Sequence, residues 1–440
     1  MKENISKRND NFTSSLGFVL ACVGSAVGLG NIWMFPYRLG EYGGAAFLIP
    51  YLIFIFLFGW VGLSAEFGLG RKSKSGTVGS YEYCFGKRGM GWFGKKIGWI
   101  PLLGSLGIAI GYAIILGWVL RTLWGFVSGD LMTANPGAYF GAILGDFGSV
   151  PWHIAVIAMT CAILVSGVSN GIEKANKILM PSFFVLFLGM AIWISFLPGS
   201  GAGYEFLFVP QWDKLLNIKT WIMAMGQAFF SLSISGSSMI VYGSYIKKDV
   251  NIPEASLRTA GFDTCAAMIS ALAIMPAVFA YGIGAGSGPV LVFLTLPKVF
   301  QQMPFGQFFA IIFFVAVLFA GITSLINLLE APTEHLQENF TNSRKAASII
   351  TCVVSLVVGI FIESEPKVGA WMDFISVVIV PFGAVMGAAT IYYILGWDEL
   401  RKELEIGHGK MPEIFGLVGK YVYVPLTIII MVLGLMYGGL

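Results

Sequence analysis

The sequence predicts an all-α polytopic membrane protein, with about eleven spanning helices in two inverted five-helix repeats, and three observations carry that prediction. Hydrophobic residues make up 56% of the chain and charged residues 12%, with a mean hydropathy of +0.79, far outside the range of a soluble domain. Apolar runs long enough to cross a bilayer recur along all 440 residues. The first and the sixth of these runs are interrupted near their middles, which puts matching breaks at the head of two successive groups of five.

The runs fall at 14–39, 43–70, 97–127, 151–168, 177–197, 219–246, 255–285, 304–337, 345–362, 367–396 and 420–438. Their number is odd, so the two ends of the chain face opposite sides. If Met1 is cytoplasmic, the inner loops collect Lys2, Lys7 and Arg8, the cluster from Arg71 to Lys96, Lys174, Lys177, Lys247, Lys248, Arg258, Arg344, Lys345, Arg401, Lys402, Lys410 and Lys420. The outer loops then hold only Lys214, Lys219, Lys298 and Lys367. The positive-inside rule therefore predicts a multi-pass protein of the cell inner (plasma) membrane, with its N-terminus cytoplasmic and its C-terminus extracellular. The formal net charge of +3 reports this topology and not a nucleic-acid partner. The chain divides into a cytoplasmic segment (1–13), a first repeat (14–197), an extracellular loop (198–218), a second repeat (219–396), a cytoplasmic loop (397–419) and a final helix with its outer end (420–440).

Several function classes drop out. The first apolar run is too long for a cleavable signal and lacks a small-residue cleavage site, so it serves as its own insertion signal. Cys22, Cys84, Cys161, Cys265 and Cys352 are odd in number, dispersed and without a C-x-x-C pair, which reads as free thiols. His153, His335 and His408 are equally scattered, with no metal-ligand spacing. No nucleophile, base or carboxylate cluster suggests an enzyme. The run "GIGAGSG" (282–288) ends a membrane helix instead of opening one after a strand, so it reads as a turn and not as a phosphate loop. A channel would need a continuous polar lining, whereas the polar groups here gather at two breaks near mid-depth.

Those breaks carry the chemistry. "SAVGLGNIWMFPYR" (25–38) sets glycines, an asparagine and a proline inside an apolar helix. "GQAFFSLSISGSSMIVYGSY" (226–245) packs five serines and a glycine between Ser231 and Ser238. Irregular backbone is tolerated at bilayer depth only where it lines a cavity. Unwound carbonyl oxygens bind a hard cation such as Na⁺, and the half-helix beginning near Gly28 presents amides and a positive dipole end to an anion. One broken helix can thereby hold a carboxylate and a sodium ion side by side. Further along, Thr323 and Ser324 place two adjacent hydroxyl oxygens in an apolar run without adding charge.

"GSAVGLGNIWMFPY" (24–37), "GGAAFLIPY" (43–51), "AEFGLGR" with Glu66, "GQAFFSLS" (226–233), "GSYIKKD" (243–249) and "FAGITS" (319–324) together resemble the neurotransmitter:sodium symporter family, most of all its prokaryotic amino-acid transporters. The resemblance covers the first ten helices and implies a LeuT-like fold. It also implies symport of neutral hydrophobic amino acids such as Leu, Ile, Val, Phe, Tyr or Trp with Na⁺ at two sites. The first sodium maps onto the Ala26 carbonyl, Asn31 and Ser231. The second maps onto the Gly24, Val27 and Ala320 carbonyls with Thr323 and Ser324. The substrate carboxylate maps onto the Leu29 and Gly30 amides under a Tyr112 lid, and the amino group onto Ala26 and the carbonyls near Phe230, Ser231 and Ser233. The side chain falls among Ile108, Tyr112, Phe230, Ser324, Leu328, Ser235 and Gly236. Glu66 would brace the unwound part of the sixth helix; Glu330 reads as a structural contact of the inner pathway. Arg8, Tyr245 and the acidic Glu338 would form a cytoplasmic gate.

Three departures from the family pattern matter. Met34 stands where many relatives carry arginine, so an outer gate with Asp373 is not an ion pair here. Asp263 stands where a sodium-ligating asparagine is usual, and Ala267 where chloride-independent relatives carry glutamate. Asp263 is then the available counter-charge, which predicts chloride-independent transport. Gly236 replaces a bulky residue of some relatives and is expected to enlarge the pocket. The competing reading is a proton-coupled amino-acid permease of the same inverted-repeat fold, which would not need Asn31, Thr323 and Ser324 as sodium ligands.

Overall fold

A computed structural model of the chain describes residues 11–282 and 288–438. The described residues are helical with no strand. Apart from short connecting helices, the elements are α1 (Ser15–Ala26), α2 (Gly30–Glu41), α3 (Ala45–Ser73), α4 (Gly91–Ser128), α5 (Val150–Val165), α6 (Val168–Ser195), α7 (Ile218–Ser231), α8 (Ser238–Ser244), α9 (Ile252–Ala280), α10 (Gly306–Thr341), α11 (Arg344–Phe361), α12 (Glu365–Leu395) and α13 (Glu413–Tyr437). Among the described residues, eight helices are long and apolar enough to cross a bilayer, and α1 with α2, bent by 57°, makes a ninth. The apolar α5 and the pair α7–α8, interrupted over 232–237, are shorter.

Local chemistry explains where these helices start. Ser14 caps α1 by accepting the Gly17 amide at 3.0 Å, and Asn251 caps α9 by accepting that of Glu254 at 3.2 Å. Within α2, Pro36 follows the wider turn Gly30–Met34 and stands at the start of the regular stretch Phe35–Glu41, where a missing donor is tolerated. Burial is strongly one-sided. α1 is enclosed by α6, α9 and α10, and α4 packs along α10, whereas Val185, Leu188 and Ile192 on α6 and Val353 and Val357 on α11 stay exposed on the outside, as a lipid-facing surface requires. Two of the charges inside the bundle are paired: Arg71, fully buried, meets Glu403 at 2.7 Å, and Glu330 meets Arg344 at 2.5 Å.

The structure moves several boundaries. The fifth helix begins at Val168 and not at 177, because the charges that mark a loop in sequence are neutralised in place: buried Glu173 pairs with Lys177 at 2.7 Å and accepts the Thr13 amide at 2.6 Å. The fourth helix correspondingly stops at Val165. α13 starts at Glu413, seven residues before 420, and the loop 198–218 contains the helices Gly201–Phe208 and Trp212–Leu215. Residues 283–285, expected to close the seventh helix, and most of the glycine run 282–288 lie outside the described residues.

Candidate functional site

α1 stops at Ala26 because Val27 turns to extended backbone (φ −72°, ψ 114°), and the chain resumes as α2 at Gly30. The Asn31 side chain reaches back across the break and accepts the Gly28 amide at 3.1 Å, and the Leu29 amide donates to the Tyr112 hydroxyl at 3.1 Å. Opposite, Ser233 (φ 54°) and Gly236 (φ 71°) carry the chain between α7 and α8. Glu66 accepts the Gly236 amide at 2.8 Å, and the Ser233 hydroxyl donates to the Ser25 carbonyl at 3.0 Å, so the two breaks are tied to each other and to α3.

Two oxygen-rich cradles flank the first break. In one, Asn31 donates to the Asp263 carboxylate at 2.8 Å and to the Ser231 hydroxyl at 3.2 Å, and Ser231 donates to the other Asp263 oxygen at 2.6 Å. Asp263 is fully buried and has no ion-pair partner among the described residues. A buried carboxylate with two hydrogen bonds and no countercharge is the setting a cation completes. In the other cradle the Ser324 hydroxyl has four carbonyl oxygens around it, those of Val27 at 2.9 Å, Gly24 and Ala320 at 3.1 Å and Ser25 at 3.4 Å. One hydroxyl donates one hydrogen. The surplus carbonyl oxygens, with the Thr323 hydroxyl on the same helix, are a donor set suited to a hard monovalent cation. Both cradles fit Na⁺ on these grounds.

A cavity of about 960 Å³ opens between the breaks. Ala26, Leu29, Gly30, Ile108, Tyr112, Phe230, Ser231, Ser233, Ser235, Ser324 and Leu328 all line it, as do Met34 and Asp373 from the expected outer gate. Gly236 is the exception and corrects the enlarged-pocket expectation. It lies behind the cavity wall, with a left-handed φ of 71°, and a Cβ there would stand 2.5 Å from the Gly383 carbonyl oxygen and 2.7 Å from the Tyr81 hydroxyl. Glycine at 236 answers to backbone packing, not to pocket volume.

On the opposite side, the Tyr245 hydroxyl donates to Glu330 at 2.6 Å, and Glu338 accepts from the Ser75 hydroxyl at 2.9 Å. Arg8 lies outside the described residues. Sequence reasoning passed over Arg38, which lines the cavity and donates to Gln227 at 3.0 Å. The available signal was its spacing, one helical turn beyond Met34 on the same face.

The fold and the paired breaks define a membrane transporter of the LeuT-like class. The profile of the Sodium:neurotransmitter symporter family matches residues 9–136 and 138–437, and the chain belongs to that family. It is 35% identical over 354 residues to an uncharacterised sodium-dependent transporter, YhdH, of Bacillus subtilis, covering 79% of this chain and 77% of the relative. A second uncharacterised sodium-dependent transporter, from Methanocaldococcus jannaschii, is 31% identical over 450 residues, covering 94% and 87%. Among solved structures, the crystal structure of MhsT in complex with L-phenylalanine superposes with a TM-score of 0.84 at 35% identity, covering 97% of this chain and 99% of that one.

Proposed function

We propose that this chain imports neutral hydrophobic L-amino acids, aliphatic and aromatic, by alternating access, with two Na⁺ per substrate and without chloride. The observation that carries the reading is the buried group of Asp263, Asn31 and Ser231, lacking a cation partner among the described residues, beside an apolar cavity onto which the start of α2 opens. The positive end of that half-helix receives a substrate carboxylate, and the apolar wall of Ile108, Phe230 and Leu328 receives its side chain. Sodium in the first cradle supplies the positive charge beside Asp263, and the start of α2 faces the carboxylate of the substrate. Each ion moving inward releases about 2.3 kcal/mol per 100 mV of membrane potential, and ~1.4 kcal/mol more for a tenfold gradient.

Uptake into proteoliposomes tests the reading. Leucine, isoleucine, valine, phenylalanine, tyrosine and tryptophan are expected to compete with one another, to require Na⁺ in place of K⁺, and to be unaffected when gluconate replaces chloride. Uptake that persists in K⁺ and follows a proton gradient would transfer the protein to the proton-coupled class. Rejection of phenylalanine, tyrosine and tryptophan alike would restrict the substrate range to the aliphatic side chains.

A further inference from the structure

From the second cradle toward the side that the lysines and arginines assign to the cytoplasm, α10 carries Thr323, Asn327, Glu330 and Glu334. Steps of four, three and four residues put them on one stripe of the helix, and all four are buried. The far end of the stripe is well bonded: Glu330 holds Arg344 and Tyr245, and Glu334 accepts the Gly76 amide at 3.0 Å. Its middle is not. Asn327 is 1% exposed, and beyond the neighbouring Tyr242 hydroxyl its amide finds no hydrogen-bond partner among the described residues. The Tyr242 hydroxyl, on α8, is buried with only Asn327 to bond to, and the Asn176 Oδ1, on α6, is buried without a partner among the described residues.

Asn176 shows how these groups relate to the cradle. Its Nδ2 donates to the Ile172 carbonyl of its own helix at 2.9 Å, which turns Oδ1 toward α1 and α10. A Cβ added to Gly24 would stand 1.9 Å from that oxygen and 2.9 Å from the Thr323 Cβ. Only glycine at 24 leaves this space open, so the Asn176 oxygen stands against Gly24 and beside Thr323, next to the cradle and outside its ring of carbonyl oxygens. Whichever way its amide is turned, Asn327 adds a second oxygen and Tyr242 a third.

Unpartnered polar groups are costly in a membrane interior and mark places where water or an ion meets them. We propose that Asn176, Asn327 and Tyr242 form a third, transient Na⁺ position one helical turn inward of the second cradle, which accepts the ion leaving Thr323 and Ser324 and passes it, partly hydrated, toward Glu330. The proposal rests on the sodium-coupled reading of the site. Uncharged oxygens suit this role, because a stopping point on an exit path must bind well enough to be entered and weakly enough to be left. No carboxylate stands within this group, in contrast to the cradle of Asp263.

The full chain in proteoliposomes, with Na⁺ as the only cation probe, provides the test. Two quantities are read for wild type, Asn327→Leu and Asn176→Ala: the Na⁺ dependence of substrate binding from the outer face, and the rate at which radioactive Na⁺ is released on the inner face. Both variants are expected to keep the outer Na⁺ dependence within about twofold and to slow inner release by about tenfold or more. Asn327→Gln, which keeps the oxygen, is expected to recover most of the rate. Release at the wild-type rate in both variants overturns the proposal. So does a lost outer Na⁺ dependence in correctly melting Asn327→Leu, which would make the residue part of the second cradle itself. If Asn327→Leu does not fold, Asn176→Ala, on a different helix, decides alone. The Thr323→Ala/Ser324→Ala double variant separates the two readings: Na⁺-stimulated binding that survives in it removes the second cradle, whatever the asparagine variants do.

Discussion

The two cradles beside the first break use opposite chemistry. One is made of side chains around the buried carboxylate of Asp263, with Asn31 and Ser231 as its hydrogen-bond partners. The other is made almost entirely of main-chain oxygens from Gly24, Ser25, Val27 and Ala320, gathered around Ser324. The difference is one of fixed charge. A carboxylate at ion-contact distance attracts a monovalent cation by several kcal/mol even at an effective dielectric of about 20. Carbonyl dipoles hold the same ion more loosely and depend on geometry that exists only while α1 and α10 stay packed. On the sodium-coupled reading, the charged cradle belongs with the substrate, and the neutral one is the cradle that opens to release.

The largest expected effect attacks that contrast directly. Asp263→Asn removes the fixed charge, and the loss expected from breaking a buried charge interaction, about 3–5 kcal/mol, corresponds to a fall in Na⁺ affinity of more than about a hundredfold. Titrating Na⁺ against substrate binding in chloride and in gluconate checks it. A requirement for chloride acquired by the variant sharpens the counter-charge argument, whereas an unchanged Na⁺ curve means that Asp263 is protonated and the two cradles are electrostatically alike.

Next comes Thr323→Ala/Ser324→Ala, which leaves the carbonyls in place. The loss of two neutral oxygen ligands is expected to weaken Na⁺ stimulation by roughly 2–3 kcal/mol, enough to abolish it at physiological concentrations while thermal melting shows a folded protein. A smaller effect than that of Asp263→Asn is the sign that charge and not ligand count dominates.

Smaller still are the expected effects at the second break, where Gly236 is held by Glu66. Gly236→Ala forces a side chain into left-handed backbone and against the Gly383 carbonyl, at about 1–3 kcal/mol of stability, and leaves the ranking of aromatic against aliphatic substrates unchanged. A melting curve and a competition series together decide it: a variant as stable as wild type that excludes tryptophan would restore position 236 to the pocket wall.

Much of this was legible before any coordinates. The opening motif from Gly24 to Tyr37 is long enough to place the first break, and "GQAFFSLS" the second, so eleven of the twelve residues assigned to the substrate line the cavity. Position 236 failed because a motif aligns residues but carries neither φ nor the identity of the neighbour across the gap, here Gly383. The start of α6 failed because Glu173 and Lys177 look like loop residues until their pairing, and the contact of Glu173 with Thr13, is seen. Asn176 and Asn327 went unread for a related cause: Asn327 is a lone amide in an apolar run, Asn176 stands among Glu173, Lys174 and Lys177, and nothing in either neighbourhood says whether the amide will be bonded.

Membrane class, predicted orientation, the number and order of the apolar runs and the positions of both breaks follow from composition and local pattern, because hydrophobic length, loop charge and helix-breaking residues act within one segment at a time. The cradles are of another kind. Their oxygens come from α1, α2, α7, α9 and α10, separated by up to 300 residues along the chain, and converge because packing brings helix faces together whose spacing no single segment encodes. Whether a buried polar atom is bonded or left open to a passing ion is settled by that convergence, since a hydrogen bond depends on a few tenths of an ångström and on direction.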